Sequence, residues 1–316
     1  MEQKQYDDFF LALNSVAVVY KATLKPVDIP KNGVIQKAFA MHYQNNPVVP
    51  IFYPDRLINP EQSRTPGQIA SALSRTVMPE IAELWQNPNL SFSGREQAVS
   101  HLRSTLIGYG NNRPFLQGIP YERTADLALY ARLDFGNGVA APMTEKALSF
   151  FRMTKEEALS EAKKNTYSQA RLHNFHTLLK AIYRETGLDE KTAQMIIKKS
   201  PKDLYYFLNT KDGWEGAAPI ADPAILKKLR EFVGGDYYIL SASVHKVWIL
   251  TKAKWKIPPE KLKMDMVPES QQGILPQDIL SNNLYEFDGR GLSIVGAQKI
   301  ERDTGIAEHM AHRHSR

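Results

Sequence analysis

The stretch TEKALSFFRMTKEEALSEAKKNTYSQARLHNFHTLLKAIYRET, residues 144–186, decides the fold class. Thr154 followed three residues later by Glu157 is a capping-box signature, and Gly187 stands where a helix would close. The spacing predicts three consecutive helical segments, 144–151, 154–163 and 168–186, and residues 189–200 add a fourth. On both sides of this run the pattern changes to short β-branched and aromatic stretches broken by Pro, Gly and Asn. Strands in two groups separated by helices, without regular strand–helix–strand alternation, favour an α+β fold over a doubly wound parallel sheet. The expectation is antiparallel or mixed sheets with a helical middle region: an N-terminal α+β region 1–142, a basic helical region 143–203, a C-terminal α+β region 204–295 and a tail 296–316.

Upstream, residues 6–19 carry Phe9, Phe10, Leu13, Val16 and Ala17 at amphipathic-helix spacing, and residues 20–52, punctuated by five Pro or Gly, read as a β-meander. Thr65-Pro66 caps a helix expected to reach about Gln86. Ser93 with Glu96 starts another, expected to run to Gly108 or Gly110, and residues 125–135 with 139–141 form a hairpin across Gly136-Asn137-Gly138. Downstream, strands are expected at 204–208, 237–241 and 244–250, a helix capped by Asp222-Pro223, a helix from Pro258-Pro259, and a closing hairpin across Asp288-Gly289. Residues 300–310 could form one more short helix.

Composition bounds the chemistry. With 43% apolar and 23% charged residues the 316-residue chain is an ordinary globular polypeptide, and no apolar run approaches the roughly 18 residues of a membrane span. Zero cysteines remove disulfides, thiol catalysis and Cys-ligated metals, and fit a reducing compartment, so a cytoplasmic location is expected. No cofactor is implied. The net charge of +6 is segregated: residues 150–202 hold eleven basic and six acidic side chains, and residues 244–263 hold six lysines against one glutamate. In a strand, Lys252, Lys254 and Lys256 would share one face, with Lys246, Trp248 and Trp255 nearby, a pattern that can follow a phosphate backbone and stack bases. The same lysines would also guard a strand edge against aggregation.

No dinucleotide-binding, P-loop, zincin or nucleophile-elbow motif is present. His173 and His176 stand three apart on the expected third helical segment and could meet one metal ion, but no third ligand is identifiable by spacing. In YYILSASVHKVW, residues 237–248, Ser241, Ser243 and His245 alternate with apolar residues, so a continuous strand would put a nucleophile and a base on one face. The alternative is a strand corner whose hydroxyls satisfy backbone groups. Asp126, at a strand start, could be a base or a turn cap.

Several stretches, in order, resemble the uncharacterised DUF5688 proteins of Firmicutes: KNGV (31–34) with VVPIFY (48–53), PYERTADLALYARL (120–133), EEALSEAKKNT (156–166), YYFLNTKDGWEGAA (205–218), and YYILSASVHKVWIL with DILSNNLYEFD (237–288). The resemblance implies a bacterial intracellular protein, often of phage or other mobile elements, and no established reaction. Where the family reads Pro-Ser-Ser-x-His-Glu this chain has Ser241 to Lys246, with lysine in place of the acid. The reading that follows is a protein that binds a macromolecule without catalysis. The alternatives are nucleic-acid binding through the lysine row and a Ser/His hydrolase.

Overall fold

The computed structural model describes residues 3–57, 64–86, 92–177, 179–180, 189–199 and 204–296. It is an α+β protein with two antiparallel sheets. The first contains β1 (Thr23–Lys31), β2 (Val34–His42), β3 (Ile51–Phe52), β4 (Leu102–Gly108), β5 (Tyr121–Thr124), β6 (Leu127–Asp134) and β7 (Val139–Pro142), in the order β1-β2-β3-β7-β6-β4 with β5 also on β6. The second contains β8 (Ala170–Asn174), β9 (Tyr206–Thr210), β10 (Tyr237–Ser243), β11 (Lys246–Thr251), β12 (Leu284–Phe287) and β13 (Leu292–Ile294), in the order β13-β12-β10-β11-β9-β8.

Asn32 and Gly33 take φ of 50° and 84°, so the β1–β2 hairpin closes on a two-residue type I′ turn. Lys31 and Val34 are then a hydrogen-bonded pair, and the alternation puts Pro26 and Pro30, opposite Phe39 and Ile35, at positions whose nitrogens face away from β2. Neither proline costs a ladder bond there, and both block the outer edge of β1 to further pairing.

Helices α1 (Gln3–Val19), α3 (Pro66–Thr76), α4 (Met78–Gln86), α6 (Glu145–Phe150) and α7 (Lys155–Tyr167) pack on one face of the first sheet, around Phe9, Phe39, Phe52, Ile81 and Phe151. The short helices α2 (Pro54–Leu57) and α5 (Phe92–His101) lead out of β3 and into β4. A second core joins the sheets: Leu106, Leu127 and Leu129 pack with Ile239, Val247 and Tyr285 beside α9 (Pro223–Val233). A third lies between the second sheet and α10 (Pro259–Ser270), while α8 (Glu190–Lys199) lies between β8 and β9 in the chain.

The expected capping box is formed at Thr154 with Glu157; Thr65, expected as a cap before Pro66, forms a box with Gln68, Asp222 caps α9, and Ser93, expected to open a helix with Glu96, lies inside α5, which starts at Phe92. Three expectations are corrected. The helix from Ser93 ends at His101, because Leu102–Gly108 pairs along its whole length with β6, and the alternation of Leu102, Ser104 and Leu106 serves a strand. The segment 65–86 is two helices, broken at Val77. Residues 170–174, expected inside the third helical segment, form β8 against β9, so the helical middle is divided: α6 and α7 join the first sheet's core, and the chain enters the second sheet directly afterwards. The helix considered for 300–310 lies outside the described residues.

Candidate functional site

Where the sheets meet, side chains from six separate segments form a buried ion cluster. The hairpin tip is the first staple. Asn32 Nδ2 donates to the Gln277 carbonyl (2.8 Å), and Asn112 Nδ2 donates to Asn32 Oδ1 (2.7 Å). This sets Lys31 Nζ 3.7 Å from Asp278 Oδ1, at the 3₁₀ turn Pro276–Asp278. Arg56, from α2, donates through Nη2 to the same carboxylate oxygen at 2.7 Å, with its guanidinium over the rings of Tyr53 and Trp214. Arg132, on β6, bridges Asp134 (2.6 Å) and Glu215 (3.1 Å). Glu215 is buried and has φ 56°, a left-handed conformation uncommon for a side-chain-bearing residue. A buried carboxylate in this conformation makes Glu215 a candidate for a functional role.

The loop that carries Glu215 is tied to the β10–β11 turn. Trp214 N–H donates to Asp212 Oδ1, Thr210 Oγ1 bonds the Trp214 carbonyl, and Ala217 N–H donates to the Val244 carbonyl. His245 lies against this loop: its Nδ1 accepts from the Glu215 N–H at 3.3 Å, its Nε2 is 3.8 Å from Asp278 Oδ1, and Trp214 meets its ring edge-on.

Charge in this space is strongly perturbed. Burial and the neighbouring Arg56 push the Lys31 amine down to about 7, against the pull of Glu215 and Asp278. Burial acts to raise the Asp278 carboxyl, but His245, Arg56 and Lys31 outweigh it and hold it at about 2. Burial likewise opposes the charge on Arg132, which Glu215 and Asp134 more than restore. These shifts give a pH signature. Between about pH 7 and 10 the unfolded chain holds the Lys31 proton and the folded one sheds it, so stability rises with pH, by at most about 1.4 kcal/mol per unit. Asp278 contributes stability that is present above about pH 4 and lost as pH falls through about 2. Urea midpoints at pH 7 and 9 should therefore show the unaltered chain more stable at pH 9, and Lys31→Met flat. The same rise in both would refute the Lys31 assignment.

Above the cluster opens a cleft of about 300 Å³, walled by Tyr53, Arg56, Arg103, Arg132, Asp134 and Trp214 together with the Gly136-Asn137-Gly138 turn. A second cavity of about 460 Å³ adjoins it, sharing Arg56, Asn137, Gly138 and Trp214 and adding Arg64, Ile69 and Leu73. Arg103 enters none of the ion pairs among the described residues; its Nη1 donates to the carbonyls of Ser100 and Leu102.

The residues singled out from sequence fall mostly outside this site. Ser241, Ser243 and His245 do not share one strand face, because the β10–β11 register shifts between Leu240 and Ser243. Ser241 Oγ donates to the carbonyls of Ser281 and Asn283, and Ser243 Oγ accepts from the backbone N–H groups of His245 and Lys246. Neither of these hydroxyls is hydrogen-bonded to the imidazole among the described residues. Asp126 ties the sheets together, accepting from Tyr285 Oη (2.6 Å) and Asn283 Nδ2 (2.9 Å). The shared lysine face is also corrected: β11 ends at Thr251 and the chain turns, with Lys254 N–H donating to the Thr251 carbonyl. Lys252 is held by Glu286 at 2.6 Å, Lys246 is half-buried, Lys254 is engaged and Lys256 is exposed. Trp248 stacks on Tyr205, and Trp255 Nε1 donates to the Leu204 carbonyl. His173 sits in β8, not on a helix; its ring stacks on Phe207 with Nε2 3.1 Å from Asn209 Oδ1, while His176 follows in a helical turn. Only His245 among the candidates borders the cluster.

Lys31, Arg56, Arg132, Asp134, Glu215 and Asp278 were missed by the motif reading. The available signal was a charge set in an otherwise apolar strand, as with Arg132 and Asp134 in LALYARLDF. Yet KNGV, VVPIFY, PYERTADLALYARL, YYFLNTKDGWEGAA, YYILSASVHKVWIL and DILSNNLYEFD each supply a member or wall of this one site: Lys31, Tyr53, Arg132, Glu215, His245 and Asp278.

Fold and site together define a two-sheet α+β protein with a buried ion cluster beneath an arginine-walled cleft. The chain belongs to DUF5688, a family of unknown function whose model matches residues 14–289 of the 316. No curated protein matches it. No solved structure matches it either. No described helix is long and apolar enough to cross a membrane.

Proposed function

We propose that this is a binding protein whose working surface is the cleft between the sheets, and that its ligand there is an anion bearing phosphate or carboxylate groups. The observation that carries the reading is Arg103, a cleft guanidinium that enters no ion pair among the described residues, beside Arg56 and Arg132, whose planes are already fixed by carboxylates. Fixed guanidinium forks suit bidentate oxyanions, and holding them in place beforehand lowers the entropy cost of capture. Binding rather than turnover is favoured by His245: one ring nitrogen is taken by the Glu215 N–H and the other is buried towards Asp278. The lack of cysteine and the bacterial family likeness support a cytoplasmic setting.

Isothermal titration with inorganic phosphate, pyrophosphate and citrate tests the reading. At least one of the three should bind, with affinity falling as sodium chloride is raised, and Arg103→Ala should weaken it about tenfold or more, the loss of one charge-assisted hydrogen bond. Absence of binding by all three anions, or an unchanged affinity in Arg103→Ala, would discard it.

A further inference from the structure

Resting on the anion reading of the cleft, we infer that the ligand is a nucleotide, with its phosphate among Arg56, Arg103 and Arg132 and its base against Trp214 in the adjoining cavity. The two cavities are not separate compartments. Arg56, Asn137, Gly138 and Trp214 belong to the walls of both, so one ligand can reach from the first into the second. Each lies within the roughly 300–1,000 Å³ of small-molecule sites.

The walls divide the chemistry between the two spaces. The inner cavity offers three guanidinium groups together with two carboxylates that are already engaged, Asp134 by Arg132 and Asp212 by the Trp214 backbone N–H. The outer cavity offers an apolar side along α3, from Ile69 and Leu73, and hydrogen-bonding side chains at its margins, from Arg64, Thr76 and Asn137. A nucleobase has that same division, with apolar faces for stacking and donors and acceptors around its edge. An acyl chain would make no use of the Arg64 and Asn137 side chains, and a simple dicarboxylate would leave Trp214 without use. Trp214 is 40% exposed, the only tryptophan among the exposed large hydrophobic residues, and stands where the cavities join, with the Arg56 guanidinium 5.5 Å from its ring centre. Gly136, at φ 72° with nothing within 4 Å of a Cβ, leaves the main chain open to a ligand on the first cavity's side, while Gly138, in the wall of both cavities, lets the turn pack against Arg56, whose Cβ would be 3.3 Å from a side chain there.

Titration of the full chain with AMP, GMP, CMP, UMP, adenosine, ribose 5-phosphate and a 5′-phosphorylated hexathymidylate tests this. At least one nucleoside monophosphate should bind about tenfold more tightly than ribose 5-phosphate, in line with the stacking of one base. Trp214→Leu should reduce that nucleotide to the level of ribose 5-phosphate, Trp214→Phe should retain most of the preference, and Arg103→Ala should weaken both compounds. The hexathymidylate distinguishes a strand end from a free nucleotide as the source of the same chemistry. Ribose 5-phosphate binding as tightly as every nucleotide overturns the inference and leaves the anion reading standing. Failure of phosphate, citrate and all phosphorylated probes removes the anion reading itself. The comparison among ligands uses the unaltered chain and holds even if a Trp214 variant folds poorly.

Discussion

Gly216→Ala is expected to lose about 3 kcal/mol or more of stability, the upper end of what overpacking costs. The residue is not at a positive φ, so the effect is purely one of space. A Cβ there would lie 2.2 Å from the His245 carbonyl oxygen and 2.4 Å from Asn209 Cα, both backbone atoms that cannot rotate away. The Glu215 loop would have to lift from the β10–β11 turn, taking with it the Ala217-to-Val244 hydrogen bond and the Arg132 contact of Glu215. Loss of the anion site should accompany the loss of stability. Gly110→Ala is the control, since nothing lies within 4 Å of its Cβ, and it should change stability by no more than about 0.5 kcal/mol. Urea unfolding checks both. A Gly216→Ala midpoint equal to that of the unaltered chain would mean the loop is not seated as described.

Arg132→Met is expected to cost about 3–5 kcal/mol, because it takes away the guanidinium that pairs two carboxylates, the buried Glu215 and Asp134. Glu215 is only 3% exposed, and its Oε2 already has no hydrogen-bond partner. Arg132→Met with Glu215→Leu should be much less destabilised than the two single changes summed, since it removes the orphaned charge along with its partner. Simple additivity of the two single changes would show that the pair does not interact.

That coupling also explains how far the fold was readable. Helix starts were legible wherever one residue carries its own cap: Thr65, Thr154 and Asp222 each bond a nearby backbone N–H, and local sequence suffices for that. The hairpin turn at Gly136-Asn137-Gly138 was equally visible, because few residues tolerate positive φ. The misreadings came at 102–108 and 170–174, where short stretches suit either helix or strand and a partner strand, β6 or β9, decides between them. The histidine pair was lost with the helix that would have aligned it, and the lysine row with the strand that would have arranged it.

The charge cluster has a different status. Its members lie up to 247 positions apart, from Lys31 to Asp278, and no local spacing relates them. A lone Arg132 in a strand of leucines signals that a partner must exist, but not which one, since burial only requires that some opposite charge arrive.

What the sequence determined on its own was the α+β class, the absence of thiol chemistry, the caps and the tight turns, because these depend on composition or on neighbours within about four residues. The two-sheet seam, the edge-on contact of His245 with Trp214, the seating of Gly216 and the convergence of three arginines on one cleft were decided only by tertiary structure. Coulomb attraction and close packing act between whatever groups the folded chain brings within a few ångströms, irrespective of their distance along it.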